Sequence, residues 1–464
     1  MKIFDTLTRQ KVPFIPQKEG EYSIYVCGPT VYNYIHIGNA RPVIVFDTLR
    51  RYLESCGNRV NYVSNITDID DKLIKRAQEE NSTVAEVAKK YEEEYLKDAK
   101  GLNVKPLTSM PRATEHIEQI LQIVADLIEK GYAYVARNGD VYFRTKKFKD
   151  YGKLSHLVLE ELEGGNRELR SRMDEDLKED AADFAVWKAA KPGEPAWESP
   201  YGPGRPGWHI ECSAMARTHL GNTIDLHCGG QDLVFPHHEN EIAQSECANG
   251  CTFARYWMHN AFLNIDNHKM SKSAGNFFTV REIAEKYGYE PIRYFMLSAH
   301  YRSPLNYTAE LIESCRSSLE RLYTCRDNLD FALKNAQGSS NLLTAKAAAA
   351  KVKFKEAMED DLNTADGLAA LFELVKEINT LSADSTEQSL QDAAAVFDEI
   401  TDVLGLLYNR KTDEVPAEVM EMVEQRAQAK KEKNWAVADE IRAKLGEMGW
   451  VVEDTAQGPK VSKK

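Results

Sequence analysis

The chain has 464 residues, of which 43% are apolar and 28% are charged, a composition typical of a globular protein with about two to four domains. It has no apolar run of about 18 residues and no charged-then-apolar leader, so we expect neither a membrane span nor a secretory signal. The net charge of −13 argues against a protein that coats nucleic acid, although a local basic patch could still bind RNA phosphates.

The N-terminal part has a strand, helix, strand pattern. Tyr22–Cys27 and Arg59–Ile66 are apolar runs typical of buried strands. Between them, apolar residues recur at helical spacing over Asn39–Ser55, and a Cys-Gly-Asn stop follows. This pattern is half of a mononucleotide-binding βαβ unit.

The predicted secondary structure changes in character twice along the rest of the chain. A helix is predicted around Pro111–Lys130, followed over about 132–200 by short strand-like pieces, a charged run and a Pro/Gly-rich passage, typical of an insertion. Strand patterns return at Thr223–Leu226 and Trp257–Asn264. From about residue 308 nearly everything has helical periodicity, and a small charged unit begins at Pro416.

We therefore expect an α/β fold: a Rossmann-type parallel-sheet catalytic domain split by an insertion, then an α-helical bundle and a small mixed α/β C-terminal unit. The predicted boundaries are 1–131 and 201–268 for the two catalytic halves, 132–200 for the connective insertion, 269–310 for a lysine loop and the region after it, 311–410 for the bundle, and 411–464 for the terminal unit.

Two short strings are suited to binding ATP. His36-Ile-Gly38-Asn39 lies where the first strand turns into a helix, at which unpaired N–H groups and the helix dipole attract anions, and Gly38 permits close approach. Lys269-Met-Ser-Lys272-Ser places two lysines three apart in a polar loop, suited to a triphosphate. An exposed Lys-Ser loop alone would be unremarkable, but the pair in this order resembles the ATP site of class I aminoacyl-tRNA synthetases.

A glycine pair could complete the nucleotide site. Gly229-Gly230-Gln-Asp232 follows a strand candidate, so close backbone approach at Gly230 and the Asp232 carboxylate could hold the adenosine ribose. The signal is weak by itself.

A candidate metal site is scattered along the catalytic part. Eight cysteines with histidine companions indicate metal ligation in a reducing cytoplasm rather than a dense disulfide framework. Two thiolates, one imidazole and one carboxylate make a plausible zinc set, and the candidates are Cys27, Cys212, His237 and Glu241. A buried cysteine is more often a small hydrophobe, and Cys247 with Cys251 forms a rival pair that we expect to be structural.

Several strings together resemble the cysteinyl-tRNA synthetase family: Cys27-Gly-Pro-Thr-Val-Tyr, Gly-Trp208-His-Ile-Glu-Cys212-Ser-Ala-Met, Pro236-His-His-Glu-Asn-Glu241 and Lys269-Met-Ser-Lys-Ser-Ala-Gly-Asn276. The resemblance extends to Asp183–Lys188 and 436–457, and so spans nearly the whole chain. It departs from the broader class at Asn39, where many class I enzymes have a second histidine. Since asparagine still donates a hydrogen bond, we expect activity to survive.

The resemblance implies ATP-dependent ligation of L-cysteine to tRNA(Cys) through a cysteinyl-adenylate. It implies one zinc ion per chain on Cys27, Cys212, His237 and Glu241, which selects the substrate thiolate, and Mg²⁺ with ATP. Thr67, Trp208 and His227 would line the amino-acid pocket. The catalytic residues would be His36, Asn39, Lys269 and Lys272, and ATP would be held by Gly38, Gly230, Asp232 and Lys272.

The resemblance also implies roles for the C-terminal half. Region 269–310 would contact the tRNA stem, 311–410 would bind tRNA and 411–464 would recognise the anticodon. From Arg426 onward, nine Lys/Arg against six Asp/Glu give a local charge of +3, and Trp435 or Trp450 could stack on a base. A cytoplasmic monomer with no membrane contact is expected.

Two other interpretations stay open. A cysteine ligase of mycothiol synthesis resembles the same catalytic core but lacks the full anticodon portion. A non-catalytic tRNA-binding or zinc-sensing paralogue would have no need of His36, Lys269 and Lys272.

Overall fold

The computed structural model describes residues 1–157, 177–266, 268–269, 278–410, 415–455 and 458–463. The chain divides into two compact units. The first comprises Met1–Arg316, Glu356–Gly367 and Val403–Leu406, and the second comprises Ser317–Lys355, Leu368–Asp402 and Leu407–Lys464.

The elements follow in chain order within these ranges. The strands are β1 (Lys2–Asp5), β2 (Gln10–Pro13), β3 (Glu21–Val26), β4 (Arg59–Ser64), β5 (Ala133–Val135), β6 (Val141–Phe143), β7 (Phe184–Ala189), β8 (Gly204–Pro206), β9 (Ile224–Gly230), β10 (Ala254–Asn260), β11 (Leu263–Ile265), β12 (His268–Lys269), β13 (Leu305–Tyr307), β14 (Trp450–Thr455) and β15 (Gly458–Lys463). The helices are α1 (Ile37–Ser55), α2 (Asp71–Glu80), α3 (Val84–Gly101), α4 (Ile117–Glu129), α5 (Trp208–Leu220), α6 (Glu239–Asn249), α7 (Val280–Tyr287), α8 (Tyr289–Leu297), α9 (Ala309–Lys334), α10 (Leu342–Glu359), α11 (Thr364–Leu381), α12 (Glu387–Leu404), α13 (Ala417–Lys431) and α14 (Trp435–Glu447).

The first unit is built on a four-stranded sheet in the order β10-β9-β3-β4, and all neighbouring strands in it are parallel. Its strands are largely buried, as expected of a parallel sheet covered on both faces. β3 pairs with β4 on one side and with β9 on the other, so the strand order reverses between β3 and β9. In open parallel sheets, ligands bind outside the carboxyl ends of the strands at such a point.

The predicted α/β class is confirmed. The predicted strand, helix and strand of the N-terminal part correspond to β3, α1 and β4, and each of their ends lies within two residues of the predicted one. Gly57, with φ 85°, ends α1 by adopting the left-handed conformation that glycine tolerates best. One detail differs: α1 already begins at Ile37, so Gly38 lies in its first turn rather than before it.

Two other predictions were wrong in detail, and two helices were not predicted. The helix predicted from Pro111 starts at Ile117, because the preceding backbone pairs with the Ile66 segment and passes through a 3₁₀ turn. The strand predicted over Trp257–Asn264 is two strands, since the chain leaves the parallel sheet after Asn260 and joins a second sheet. Helices α2 and α3 had no counterpart in the sequence analysis.

Besides the antiparallel β1-β2 pair, two further sheets accompany the parallel one in the described part of the first unit. β5-β6-β7-β8 is antiparallel, and its strands come from both sides of residues 158–176, which lie outside the described residues. The order β12-β11-β13 forms the other, in which β11 is antiparallel to β12 and parallel to β13. This second small sheet carries Lys269 at the end of β12.

The second unit is mainly helical and ends in a small core of its own. There α13, α14 and the β14–β15 hairpin enclose Val419, Val423, Leu445 and Trp450. Trp450 is therefore a core residue, which corrects its suggested role as a base-stacking side chain, whereas Trp435 is 58% exposed. Within the described ranges, no helix is both long and apolar enough to cross a membrane.

Candidate active site and metal centre

The candidate site lies at the carboxyl edge of the parallel sheet, beside the reversal point. Cys27 directly follows β3, and its N–H donates to the Cys228 carbonyl of β9. Gly28 then passes so close to the Asn65 carbonyl that a side chain at this position would overlap it. Only glycine permits this approach of the segments that follow β3 and β4.

Four predicted ligands converge beside this edge. Cys212 lies on α5, Glu241 lies in the first turn of α6, and His237 lies four residues earlier, in the short helical turn Val234–His238 that precedes α6. The ligand atoms of these three residues and of Cys27 all lie within 4.8 Å of one another. The two sulfur atoms are 3.8 Å apart, and His237 Nε2 lies 3.0 Å from Glu241 Oε1.

These four residues fit a zinc ion. Two sulfurs bound to zinc at about 2.3 Å in a tetrahedral site lie about 3.8 Å apart, the separation seen here. A second group in the same region, Cys27, His227, His238 and Glu241, also brings its donor atoms within 4.8 Å. We favour the first set because it contains both sulfurs, which zinc prefers, and because His227 is already engaged with the outer carboxylate oxygen of Glu241.

Further imidazoles surround the ligands and hold them. His227 Nε2 contacts Glu241 Oε2 at 2.9 Å, and His209 Nδ1 contacts His237 Nδ1 at 3.0 Å. His238 Nδ1 lies 2.7 Å from His259 Nε2, whose ring contacts Thr6 in turn. Contacts of this kind orient ligand side chains and fix imidazole tautomers.

The ligands also perturb one another electrostatically. Burial raises the pKa of Glu241, but the neighbouring His227 and His237 outweigh it and lower that pKa to about 2. Burial lowers the pKa of His237, whereas the Glu241 charge and hydrogen bonds raise it to about 10. The hydrogen bond with Cys27 lowers the pKa of Cys212, while burial and Cys212 raise that of Cys27. These shifts favour the anionic forms of Glu241 and Cys212 and the protonated forms of His237 and Cys27, so a metal ion bound by the four residues would displace the protons of His237 and Cys27.

The three predicted pocket residues lie around this cluster in different ways. Trp208 is 39% exposed, and its ring centroid is 4.4 Å from that of His237, so it can cover the cluster from the solvent side. Thr67 is buried after β4, where Asn65 donates to its hydroxyl. His227 is fully buried and stacks on Trp257, so it contacts Glu241 rather than open space.

The predicted nucleotide residues lie at the same sheet edge. His36 immediately precedes α1, and Gly38 and Asn39 lie in its half-buried first turn. Gly230 ends β9, and Asp232 is exposed in the 3₁₀ turn that follows. Because β3 and β9 are adjacent and parallel, the structure brings these two groups to one edge.

The lysine loop lies mostly beyond the described part of the chain. Lys269 belongs to β12, opposite Asn264 of β11, while Lys272 lies outside the described residues. The C-terminal end of the loop adjoins the start of α1, because Ile37 N donates to Phe278 O and Val280 N donates to Ile35 O.

The sequence analysis missed several residues of the site. Asn65 accepts a hydrogen bond from Gly28 N and lies 3.7 Å from Cys212 Sγ. His209 and His238 lie next to predicted site residues in the quoted strings, so their position in the sequence could have indicated that they belong to the site. His259 had none, because only the pairing of β9 with β10 brings it to the site. The rival cysteines differ, as Cys247 packs into a core cluster and Cys251 accepts from Thr223.

Comparison with known proteins defines the class. The family model "tRNA synthetases class I (C) catalytic domain" matches residues 13–317. The fold is also that of a methionyl-tRNA synthetase from Mycobacterium tuberculosis solved with methionyl-adenylate (TM-score 0.61, 16% identity, 83% of this chain and 89% of that one). A LeuRS–tRNA–LeuAMS complex from Agrobacterium radiobacter K84 is similar (TM-score 0.62, 10% identity, 84% and 85%). The chain is a class I aminoacyl-tRNA synthetase by fold and catalytic domain.

The family is narrower than the class. The "DALR domain" model matches residues 353–408, and the "Cysteinyl-tRNA ligase anticodon binding domain" model matches 412–460. Proteins named "Cysteine--tRNA ligase" are 55% identical in Caldicellulosiruptor saccharolyticus and 50% identical in Lachnospira eligens, each over 100% of both chains. The chain belongs to the cysteine--tRNA ligase family, as the resemblance indicated.

Proposed function

We propose that this chain joins L-cysteine to tRNA(Cys) through a cysteinyl-adenylate and that a zinc ion selects the substrate by its thiolate. The observation that carries the proposal is the convergence of four donor atoms, from Cys27, Cys212, His237 and Glu241, within 4.8 Å at the sheet edge where class I enzymes bind their substrates. Family membership supports the choice of amino acid and tRNA.

The chemistry of the donor set explains how cysteine could be told from serine. The two amino acids differ by one atom, and shape alone separates such near-isosteres by only about 1–3 kcal/mol. Zinc, when bound, supplies a soft Lewis acid that favours a thiolate over a hydroxyl. Trp208 and Thr67 would close the space around the side chain, and His227 would hold the Glu241 carboxylate in place.

The nucleotide residues would then promote the first chemical step. The cysteine carboxylate oxygen attacks the α-phosphorus of Mg²⁺-bound ATP, an O–P bond forms, and pyrophosphate leaves with the electrons of the bond that breaks. His36 and Asn39 would donate hydrogen bonds to phosphate oxygens, and Lys269 and Lys272 would neutralise the charge that builds on pyrophosphate. Gly38, Gly230 and Asp232 would position the nucleotide.

The later part of the chain would supply the tRNA. We assign stem contacts to 269–310, tRNA binding to 311–410 and anticodon reading to 411–464. Two of the basic residues in the terminal unit are already paired, since Arg426 and Lys430 both bind Asp454. Lys431, Lys433 and Trp435 are exposed together at the turn between α13 and α14, which makes this turn the best candidate for contacting RNA.

The two rival interpretations are less well supported. The model for an anticodon binding domain matches 412–460, a portion that a mycothiol-pathway ligase lacks. A non-catalytic binder would not require the ATP residues that line the sheet edge. We further infer a cytoplasmic protein, since the eight cysteines, all within described residues, are free thiols, and we propose separately that it acts as a monomer.

Two assays test the proposal. Cysteine-dependent exchange of pyrophosphate into ATP should occur with the purified chain and serine should not replace cysteine. Charging of a tRNA(Cys) transcript should follow, while an amino-sugar acceptor should receive no cysteine. Exchange without charging would favour a ligase of another acceptor, and the absence of exchange from zinc-loaded protein would contradict the proposal.

A further inference from the structure

We propose that Arg41 is a positioning residue for adenylate formation: its guanidinium fixes the small sheet that carries Lys269 against the helix that begins beside His36. The inference rests on the proposed function, because it concerns the alignment of the two ATP-handling strings. Arg41 would touch neither substrate and would act only through the backbone that it holds.

The contacts of Arg41 are unusual for a buried cation. The side chain is fully buried in α1. Nη1 donates to the carbonyls of Ala261 (2.8 Å) and Phe262 (3.0 Å), and Nη2 donates to those of Ser303 (2.6 Å) and His300 (3.1 Å). Within the described part of the chain, these four carbonyls are the hydrogen-bond partners of its guanidinium, and no carboxylate is among them.

The four carbonyls belong to the two segments that lead into the small sheet. Ala261 and Phe262 join β10 to β11, and β11 pairs with β12, which ends at Lys269. His300 and Ser303 lie in the turn before β13, which is the other neighbour of β11. One guanidinium therefore holds both of these segments from the first turns of the helix that follows His36.

Backbone contacts unite these two segments. Ala261 N donates to Tyr301 O, and Leu305 N donates to Phe262 O, the same oxygen that accepts from Arg41. A displacement of either segment would therefore move the other. Because Lys269 must meet phosphates that the His36 segment also contacts, a small shift of this sheet would misalign the reacting groups, and misplacement by about 1 Å can cost about 10²-fold in rate.

The geometry requires a guanidinium rather than any cation. Two separate nitrogens in a planar fork reach carbonyls on two segments at once, whereas the single ammonium of lysine cannot span both. Arg41→Lys keeps the charge and much of the stem, so it removes the fork selectively. Arg41→Gln is the second variant, since it keeps an N–H donor and removes the charge.

Arg293 offers a matched control. It is also fully buried, donates to the carbonyls of Leu102 and Leu404, and pairs with Asp47 near the middle of α1. These contacts, to Leu102, Leu404 and Asp47, lie outside the segments that lead into β11 and β13. Arg293→Lys should therefore destabilise the fold without moving the small sheet.

The experiment measures cysteine-dependent pyrophosphate exchange, bound zinc per chain and melting temperature for the three variants. In Arg41→Lys and Arg41→Gln we expect kcat to fall by about 10²-fold, with KM for cysteine changed less than about threefold and zinc content unchanged. In Arg293→Lys we expect the melting temperature to fall by about as much as in the Arg41 variants, whereas kcat should stay within about threefold of the parent.

Three results would overturn the inference. These are an unchanged kcat in zinc-loaded Arg41→Lys, an equal loss of kcat in Arg293→Lys, and failure of both Arg41 variants to accumulate as folded protein, which would mark Arg41 as a folding residue. If the parent chain itself showed no exchange, the proposed function would fail instead, so the two failures are distinguishable.

Discussion

The amino-acid site and the terminal unit use their side chains in opposite ways. At the sheet edge, the candidate ligands and the histidines around them are buried or nearly so, and nearly every polar atom contacts another protein group. In the terminal unit the buried residues form a small core that is apolar except for Arg426, and the candidate RNA contacts, Lys431, Lys433 and Trp435, are exposed.

The difference corresponds to the size of what each region would recognise. A single sulfur atom can be identified only by a few preorganised groups that exclude water. An RNA arm is recognised over a wide surface by charges and by stacking, which needs exposed side chains on a stable support. Substitutions at the sheet edge should therefore abolish adenylate formation, whereas substitutions in the terminal unit should weaken tRNA binding.

The largest effect is expected from the metal ligands. Cys212→Ala or His237→Ala should strip zinc and abolish cysteine activation, because the remaining groups cannot hold the ion or receive the thiolate. ATP affinity should change little, since the nucleotide residues lie on other segments. Atomic absorption would measure bound zinc, titration with ATP would measure ATP affinity, and pyrophosphate exchange would measure cysteine activation.

A matched control is Cys247→Ala, which removes a buried cysteine of the same unit that is not one of the candidate metal ligands. It should retain zinc and exchange activity. Full activity in a zinc-free Cys212→Ala protein would contradict the assignment.

A smaller but still large effect is expected from Lys272. Its charge would meet the phosphates most strongly as pyrophosphate leaves, so Lys272→Ala should lower kcat by about 10²–10³-fold, which is about 3–4 kcal/mol. KM for ATP should rise much less. If affinity for ATP fell equally with kcat unchanged, the loop would only bind the ground state.

The sequence predicted these two regions unequally. The strand, helix and strand of the βαβ pattern follow from local periodicity and were predicted correctly. The contributions of Asn65 and His259 could not be, because strand pairing alone brings residues so distant in sequence together. Helices α2 and α3 were missed although Thr83 and Glu86 form a capping box, a local signal that the sequence did contain.

The terminal unit shows the same limit for aromatic residues. Trp435 and Trp450 are equally plausible stacking residues in the sequence, yet one is exposed and the other lies in a core. Only the packing of β14 on α13 and α14 distinguishes them.

A moderate effect is therefore expected from Trp435 alone. Trp435→Ala should weaken tRNA binding by about 1–3 kcal/mol if the ring stacks on a base, raising KM for tRNA while exchange of pyrophosphate stays unchanged. Met448→Ala, at the other end of α14 and also exposed, is the control and should leave KM unchanged. Equal charging by the Trp435 variant would remove this side chain from the RNA contacts.

The last comparison concerns stability rather than activity, and it can be made with two aspartates. Asp47 is buried and accepts from Arg293 and Arg51, whereas Asp454 is half exposed and pairs with Arg426. Burial opposes the ionised form of Asp47, but the two arginines prevail and lower its pKa. This group therefore stabilises the fold above its unfolded pKa and loses that contribution as pH falls through the folded value.

Asp47→Asn should cost about 3–5 kcal/mol at neutral pH, because it leaves Arg293 buried beside an uncharged partner. Asp454→Asn should cost less, about 1 kcal/mol, since solvent reaches the half-exposed Asp454 carboxylate and screens its pair with the buried Arg426. Urea unfolding of the parent and both variants should show that the Asp47 penalty persists at about pH 5 and shrinks below about pH 4, where the unfolded carboxyl titrates. A penalty that is equal for the two aspartates, or that grows towards acid pH, would contradict the contrast between a fully buried carboxylate and a half-exposed one.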